Sequence, residues 1–226
     1  MTSVMECSHN PTDARVRLVD AAASAFYAQG YHASMDAIAA QAGVARQTLY
    51  NHFSSKEKLF VEVIRRDSER MMLALEEDEG DLRTRLIRFA LAFRAVVYNP
   101  RGIALYRTLI AEAVRFPEMI VAFYETGPQR TFSELEQLFE SEIRAGRFQC
   151  ENRAPDAASF AADMLLSMLT GNERARYLLG LEQAFPEDEH EHARVERIID
   201  TFLCMFLPSD KTLRSQIKQT KPVRKK

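Results

Sequence analysis

The stretch Ala37-Ile-Ala-Ala-Gln-Ala-Gly43-Val-Ala-Arg-Gln-Thr-Leu-Tyr-Asn-His-Phe53 decides the reading of this chain. Ile38, Ala39 and Ala42 recur at helical spacing before Gly43, and Leu49 and Phe53 recur i, i+4 after it. Gly43 is the natural stop between the two rows, because the left-handed backbone of a helix end is cheap only for glycine. Two short helices joined in this way form a helix-turn-helix, in which the apolar rows pack together and the second helix lies in the DNA major groove. Arg46, Gln47, Thr48, Asn51 and His52 are left on the outside, and all can donate hydrogen bonds. From Ala37 to Lys56 there is no Asp or Glu, in a chain whose charged fraction is 27%. A helix that faces phosphate needs that gap.

Working outward, a first helix is predicted from Thr12 or Asp13 to Gln29, with Val16, Val19, Ala23 and Phe26 inward and Gly30 as its stop. Ser34 stands where the second helix needs its N-cap. Ser54 or Ser55 caps a fourth helix beginning near Lys56 and continuing through Phe60, Val63, Ile64 and Met71 to about Glu79. Such a helix is about 36 Å long, enough to join a DNA-facing domain to a separate body. The acidic run Glu76-Glu-Asp-Glu79 with Gly80 reads as its solvated end. Beyond it, Pro and Gly bound further helices: Asp81 to Tyr98, Ile103 to about Arg115, and one from Pro117 that is kinked or broken at Gly127-Pro128 and resumes to Ala145-Gly146. Pro155 opens a helix to about Leu179, and Pro186 opens one to Phe206. Five or six helices with short connections describe an antiparallel bundle.

Composition agrees with an all-α fold. Hydrophobic content is 46%, nine Met are ample for packing, and eight Gly and eight Pro interrupt long periodic stretches. The N-terminal residues lack a basic region followed by an apolar run, and no stretch of about 18 apolar residues is present to span a membrane. A soluble, bacterial-type cytoplasmic protein is the simplest expectation. Net charge is −2, and residues 1–60 balance, with Arg15, Arg17, Arg46, Lys56 and Lys58 set against Glu6, Asp13, Asp20, Asp36 and Glu57. Any basic footprint must therefore come from placement, and modest phosphate neutralisation is expected per subunit. Cys7, Cys150 and Cys204 have no metal-ligand spacing and read as free thiols, with Cys150 the better candidate for a redox sensor. Glu187-Asp-Glu-His-Glu-His192 contains Glu-x-x-His spacings, but a bundle metal site draws ligands from several helices and no second such pattern exists. Acidic residues at a helix start serve its dipole. Residues 208–226, with seven Lys/Arg against one Asp, read as a solvated tail with DNA contact as the sharper alternative.

From about Thr12 to Glu62 the chain closely resembles the N-terminal DNA-binding domain of the TetR/AcrR family of transcriptional regulators. The resemblance rests on Ala22, Phe26, Gly30-Tyr31, Met35-Asp36-Ala37-Ile38-Ala39, Ala42-Gly43-Val44, Thr48-Leu49-Tyr50-Asn51-His52-Phe53 and Ser55-Lys56-Glu57-Lys58-Leu59-Phe60. One departure is a loop between Gly30 and Ile38 a residue shorter than the family pattern, so that Ser34 has to serve as the N-cap that the family draws from a Thr/Ser pair. The segment Leu105 to Glu118 through Phe123-Tyr-Glu-Thr-Gly-Pro128 resembles the C-terminal domain of a subgroup associated with efflux control and cell-signalling regulation. The resemblance implies an all-α protein: a helix-turn-helix domain (1–62), a bundle that binds an effector and dimerises (63–207), and the basic tail (208–226).

On this footing the candidate site residues divide into three sets. Arg46 and Gln47 suit guanine and adenine edges, Ser34, Thr48, Tyr50, His52 and Lys56 suit phosphates, and Asn51 suits either. Phe89, Phe93, Tyr106, Ile110, Phe123, Tyr124, Met164 and Met168 fall on successive helices and would line a pocket for a mostly apolar or aromatic effector, oriented by Arg94, Arg107 or Glu112. The row Phe160, Met164, Ser167, Gly171 and the patch Thr201, Phe202, Met205, Phe206 would make an isologous four-helix dimer interface. A double-stranded palindromic operator, a hydrophobic small molecule and a second copy are the expected partners. No cofactor, metal or membrane is expected. The function expected is that of a homodimeric repressor released by its effector. An effector-independent architectural DNA binder is the competing class. A helical enzyme is disfavoured, since no nucleophile–base pair or phosphate-cradling glycine loop appears.

Overall fold

A computed structural model describes residues 11–76, 81–148, 156–182 and 188–206. Cys7, the acidic run beyond Glu76, Cys150, Pro155, the Pro186-Glu187 step and the tail 208–226 lie outside the described residues. Every regular element among those described is helical: α1 (Pro11–Gln29), α2 (Met35–Gln41), α3 (Arg46–His52), α4 (Lys56–Glu76), α5 (Leu82–Val97), α6 (Pro100–Glu112), α7 (Pro117–Tyr124), α8 (Arg130–Arg144), α9 (Ala157–Thr170), α10 (Glu173–Leu178) and α11 (Asp188–Phe206).

The first three helices close on a small core of Leu18, Ala22, Phe26, Ile38, Leu49 and Phe53, all buried. Gly43, at φ +64°, ends α2 as the sequence requires. Its N–H donates to Ala40 O at 3.1 Å and the Val44 N–H to Ala39 O at 3.1 Å, a paired closure that satisfies two otherwise orphaned carbonyls. Of the four residues predicted inward on α1, Val19, Ala23 and Phe26 are buried, whereas Val16 is 51% exposed. The buried stripe runs instead through Leu18, Ala21, Ala22 and Ala25, whose small side chains let neighbours approach on two faces. A single turn of 3-10 helix, Gly30–His32, takes up the short loop. Ser34 sits at the N-cap of α2 with extended backbone, but its side chain makes no capping bond.

Helix α4, at 21 residues about 32 Å long, runs from the small domain into the bundle. Ser55 starts it, its Oγ accepting from the Lys58 N–H at 3.3 Å. Asp81 caps α5, accepting from Thr84 N–H at 2.9 Å. Asn99, expected only to close α5, also opens α6: Pro100 follows it, and its side chain accepts from Gly102 N–H at 2.8 Å. The kink expected at Gly127-Pro128 is a π-helical turn, Glu125–Gln129, between α7 and α8. Pro128 has no N–H to give to the turn before it, and the Gly127 carbonyl accepts from both the Arg130 N–H and the Thr131 hydroxyl, the latter at 3.0 Å.

The helix expected to run unbroken to Leu179 is in fact two. α9 stops at Gly171 (φ +50°), and α10 leaves in a new direction. Carbonyls freed at that end are taken by distant donors, Arg94 Nη1 to Leu169 O at 2.5 Å and the Tyr98 hydroxyl to Thr170 O. Glu191, from the Glu/His run, turns inward and pairs with the buried Arg94, which Glu173 also holds at 2.9 Å. Burial works against the charged Arg94, and the two carboxylates more than offset it, leaving its pKa raised.

The main bundle core gathers Leu86, Phe89, Leu135, Phe139, Leu165 and Ile199. Phe202 and Phe206, proposed above for a dimer surface, belong to this core instead: with Phe139 and Phe148 they form an aromatic stack, the Phe148 and Phe206 rings 4.9 Å apart. The 3.6-residue period puts them on one stripe with Val195 and Ile199, so their exposed neighbour on the same helix is Met205. The small domain is not insulated from the bundle, since its core continues into Leu105, Leu109 and Met119 of α6 and α7.

Candidate nucleic-acid interface and bundle cavity

Leu49 is fully buried and fixes the roll of α3 against α1 and α2, so the opposite face of this helix points outward. Arg46, Gln47, Tyr50 and Asn51 are exposed on that face, and Thr48 and His52 are half-buried at its flanks. Gln47 Nε2 donates to Asn51 Oδ1 at 3.0 Å, which orders both amides along the helix. Arg46 lies over the Tyr50 ring at 5.6 Å, and its Nε meets Asp36 Oδ1 at 3.1 Å. Asp36 lies just outside the acid-free window, and nothing in the sequence alone joined it to Arg46. Lys56 Nζ sits 4.7 Å from the centre of the Tyr31 ring, and partial burial lowers its pKa. The head is thus a shallow donor-rich ridge, with Lys56 beside it at the N-terminus of α4.

The bundle holds a partly open cavity of about 270 Å³ against α4. Met71, Phe93, Val97, Leu105, Leu109 and Leu166 make most of its wall. Tyr106 and Phe123 meet edge-on at its side, with ring centres 6.2 Å apart. Gly127 and Pro128 of the π-turn contribute backbone, and a Cβ on Gly127 would stand 3.2 Å from Ile64 Cγ2, so the turn's closeness to α4 depends on glycine. Few polar groups line the space. The Thr131 and Thr170 hydroxyls donate to their own helices, which leaves only their lone pairs for a guest. Arg174 lies over Tyr106 with its guanidinium carbon 4.0 Å from the ring centre, and its Nε is buried with no hydrogen-bond partner. Asp67 accepts from the Tyr27 hydroxyl. Burial first, then the Asp67 charge, pushes the Tyr27 phenol far above its ordinary pKa.

Residues 18–63 match the model of the bacterial regulatory proteins of the tetR family, and residues 84–208, more than half of the chain, match that of the AefR-like transcriptional repressor C-terminal domain. The chain belongs to the TetR family. As a TetR-family protein it is a DNA-binding transcriptional regulator, with the α2–α3 ridge as its helix-turn-helix. Among solved structures, the Flavonoid-responsive Regulator FrrA is similar at 30% identity and a TM-score of 0.63, over 87% of this chain and 98% of FrrA. A TetR-family regulator from Mesorhizobium loti shares the fold, at 24% identity and a TM-score of 0.69 over 89% of this chain and 100% of its own. The HTH-type transcriptional activator FasR of Mycolicibacterium smegmatis is 41% identical over 64 residues, 28% of this chain and 29% of FasR. UidR of Escherichia coli K12 is 38% identical over 78 residues, 34% of this chain and 39% of UidR. The chain therefore matches only about a third of the length of these curated relatives. Among the described residues, no helix of this TetR-family chain is long and apolar enough to cross a membrane.

Of the eight residues proposed from sequence to line an effector pocket, Phe93, Tyr106 and Phe123 come together at the cavity. The others do not reach it. Phe89 is fully buried one turn of α5 away, Ile110 and Tyr124 are 58% and 54% exposed, and Met164 and Met168 pack on the outer side of α9, where Met168 edges a separate surface groove. The proposed orienting groups are occupied elsewhere: Arg94 by Glu191 and Glu173, Arg107 by the Tyr177 and Leu178 carbonyls, and Glu112 by His32 at 3.1 Å. Arg174, Tyr27 and Asp67 went unrecognised, since no local spacing joins α10, α1 and α4. Of the proposed dimer residues, Phe160 and Met205 are exposed, at 49% and 45%, Gly171 is the exposed stop of α9, and Ser167 opens on the cavity.

Proposed function

We propose that this TetR-family protein is a homodimeric repressor, released from a palindromic operator when a mostly apolar, aromatic effector enters the cavity beside α4. The cavity carries this reading: it is mostly apolar, lies within the bundle, and is bounded by the same helix that begins beside the DNA-reading ridge. Its match to a repressor-type C-terminal domain supports the sign of regulation. FrrA, named as flavonoid-responsive, supports an aromatic effector, and a flavonoid such as naringenin is the first probe. In this reading Tyr106 and Phe123 contact the rings and Arg174 Nε takes an acceptor on the ligand. The exposed Phe160 and Met205 lie in the interface with the second copy. A ligand shifts the balance only through its preference for the released arrangement.

At the DNA, Arg46 and Gln47 read base edges, Asn51 supports Gln47 or reads a base itself, and Ser34, Thr48, Tyr50, His52 and Lys56 hold phosphates. Fluorescence anisotropy on a selected operator, with and without naringenin, tests both halves. Arg46→Ala should cost about 1–3 kcal/mol on the operator and relax one base position, whereas Lys56→Ala should weaken all sequences alike and lower the salt slope by about one. Equal losses on operator and random DNA for both variants would overturn the division of roles. Operator binding untouched by ligands that raise the melting temperature would favour an effector-independent role.

A further inference from the structure

Among the cavity-lining residues described, Tyr27 comes from α1, the scaffold helix of the reading head, and the rest come from α4 onward. Three polar ties join α1 to α4. Arg15–Glu62 at 2.7 Å and Asp20–Arg66 at 2.5 Å each set an exposed side chain (44% and 59%) against a less exposed one (13% and 24%), and none of the four lines the cavity. With one partner in water, such pairs are partly screened. The third tie, Tyr27 to Asp67, is part-buried, and both of its partners face the cavity. It is therefore the α1–α4 link that a guest in the cavity can reach.

What reaches it is constrained by chemistry. The Asp67 oxygen accepts from the Tyr27 hydroxyl, so a ligand engaging it in the same way must bring a donor and displace that hydroxyl. The Arg174 guanidinium lines the same space over Tyr106, so a cationic donor meets a repulsion there that a neutral hydroxyl does not. We propose that the effector carries a neutral hydrogen-bond donor, of the phenol or alcohol class, that replaces the Tyr27 hydroxyl on Asp67 and thereby unties α1 from α4. The inference rests on the cavity being the effector site. It adds that the signal enters the reading head directly through α1 as well as through tilting of α4. A ligand of the same shape without the donor fills the cavity and leaves the tie in place.

The test uses the full-length protein with naringenin and its tri-O-methyl ether, following binding by calorimetry and operator release by anisotropy. In the native protein naringenin should release the operator, and the ether should bind without releasing it. In Tyr27→Phe, Asp67 has lost its donor, so naringenin should bind about tenfold more tightly while the ether is unchanged. Asp67→Ala, which removes the acceptor oxygens, should remove the distinction between the two ligands. Equal naringenin affinity in native protein and Tyr27→Phe, or equal release by both compounds, overturns the tie as the switch while leaving the cavity reading intact. Failure of both compounds to bind the native protein overturns the cavity reading and this inference with it. If Tyr27→Phe does not fold, the Asp67→Ala comparison decides: a naringenin preference that survives it sinks the proposal.

Discussion

The reading head and the bundle around the cavity solve opposite problems with the same element. On α3, one buried residue, Leu49, anchors a seven-residue helix whose Arg46, Gln47, Tyr50 and Asn51 side chains face solvent. In the bundle the helices bury their apolar stripes, and charges such as Arg94 on Glu191 and Glu173 and Arg147 on Glu142 are paired within the chain. Substitutions on the head should therefore alter what is bound at little cost to stability. Substitutions in the bundle should alter stability first. Each prediction below tries to break that division.

The largest effect is expected from Glu191→Ala. It leaves Arg94, 1% exposed, with one carboxylate instead of two. Removing one partner of a buried ion pair costs about 3–5 kcal/mol, and the surviving bond to Glu173 holds the loss to the lower end of that range. Chemical denaturation would measure it. A loss under about 1 kcal/mol would mean that the bundle tolerates a free charge as the head does, and the contrast would fail.

Gly30→Ala attacks the seam between the two regions. At φ +61° any side chain is strained, and a Cβ there would lie 2.2 Å from Thr108 Cγ2. Thr108 is anchored, its hydroxyl donating to Ala104 O at 3.1 Å. Strain and overpacking together should cost about 2–4 kcal/mol. Adding Thr108→Ser removes the offending methyl and should recover the packing part, leaving about 1–2 kcal/mol of backbone strain. No recovery would mean that α1 does not press on α6 at that point.

The seam also marks where sequence reasoning ran out. The Gly43 turn, the α1 stop at Gly30 and the Gly127-Pro128 kink were legible because each depends on a residue's own backbone and its neighbours within a turn or so. Phe93, Tyr106 and Phe123 were legible because aromatic side chains at helical spacing favour an interior, but the same reasoning also picked Phe89, buried away from the cavity, and Tyr124, 54% exposed. The break of α9 at Gly171 was missed because the donors that take up the freed carbonyls, Arg94 and Tyr98, lie more than 70 residues away. Phe202 and Phe206 were assigned to a surface because periodicity shows that a helix has an apolar face and does not show what covers it. Tyr27, Asp67 and Arg174 share a wall only through tertiary packing, and the Asp36–Arg46 pair likewise needed the turn to fold before it could be seen.

That pair gives the smallest and most discriminating prediction. In the free protein Arg46 is 67% exposed yet engaged by Asp36, and it must leave that carboxylate to reach a base edge. Exposed ion pairs are worth about 0.2–1 kcal/mol, so Asp36→Asn should tighten operator binding by about 1.5- to 5-fold. Loss of any negative charge near DNA also strengthens binding by reducing repulsion, so the effect needs a control of equal charge. Asp13→Asn supplies it: Asp13 is also exposed on the small domain, but it pairs with Arg17 at 3.6 Å and leaves Arg46 untouched. If freeing Arg46 matters, Asp36→Asn gains more than Asp13→Asn on the operator and the same on random DNA. Asp36 also sits in the first turn of α2, where its charge favours the helix dipole, so a loss of a few tenths of a kcal/mol in stability should accompany the gain. Equal gains from the two variants on both DNAs would show that the carboxylate acts only through its charge and that the head is already poised to bind.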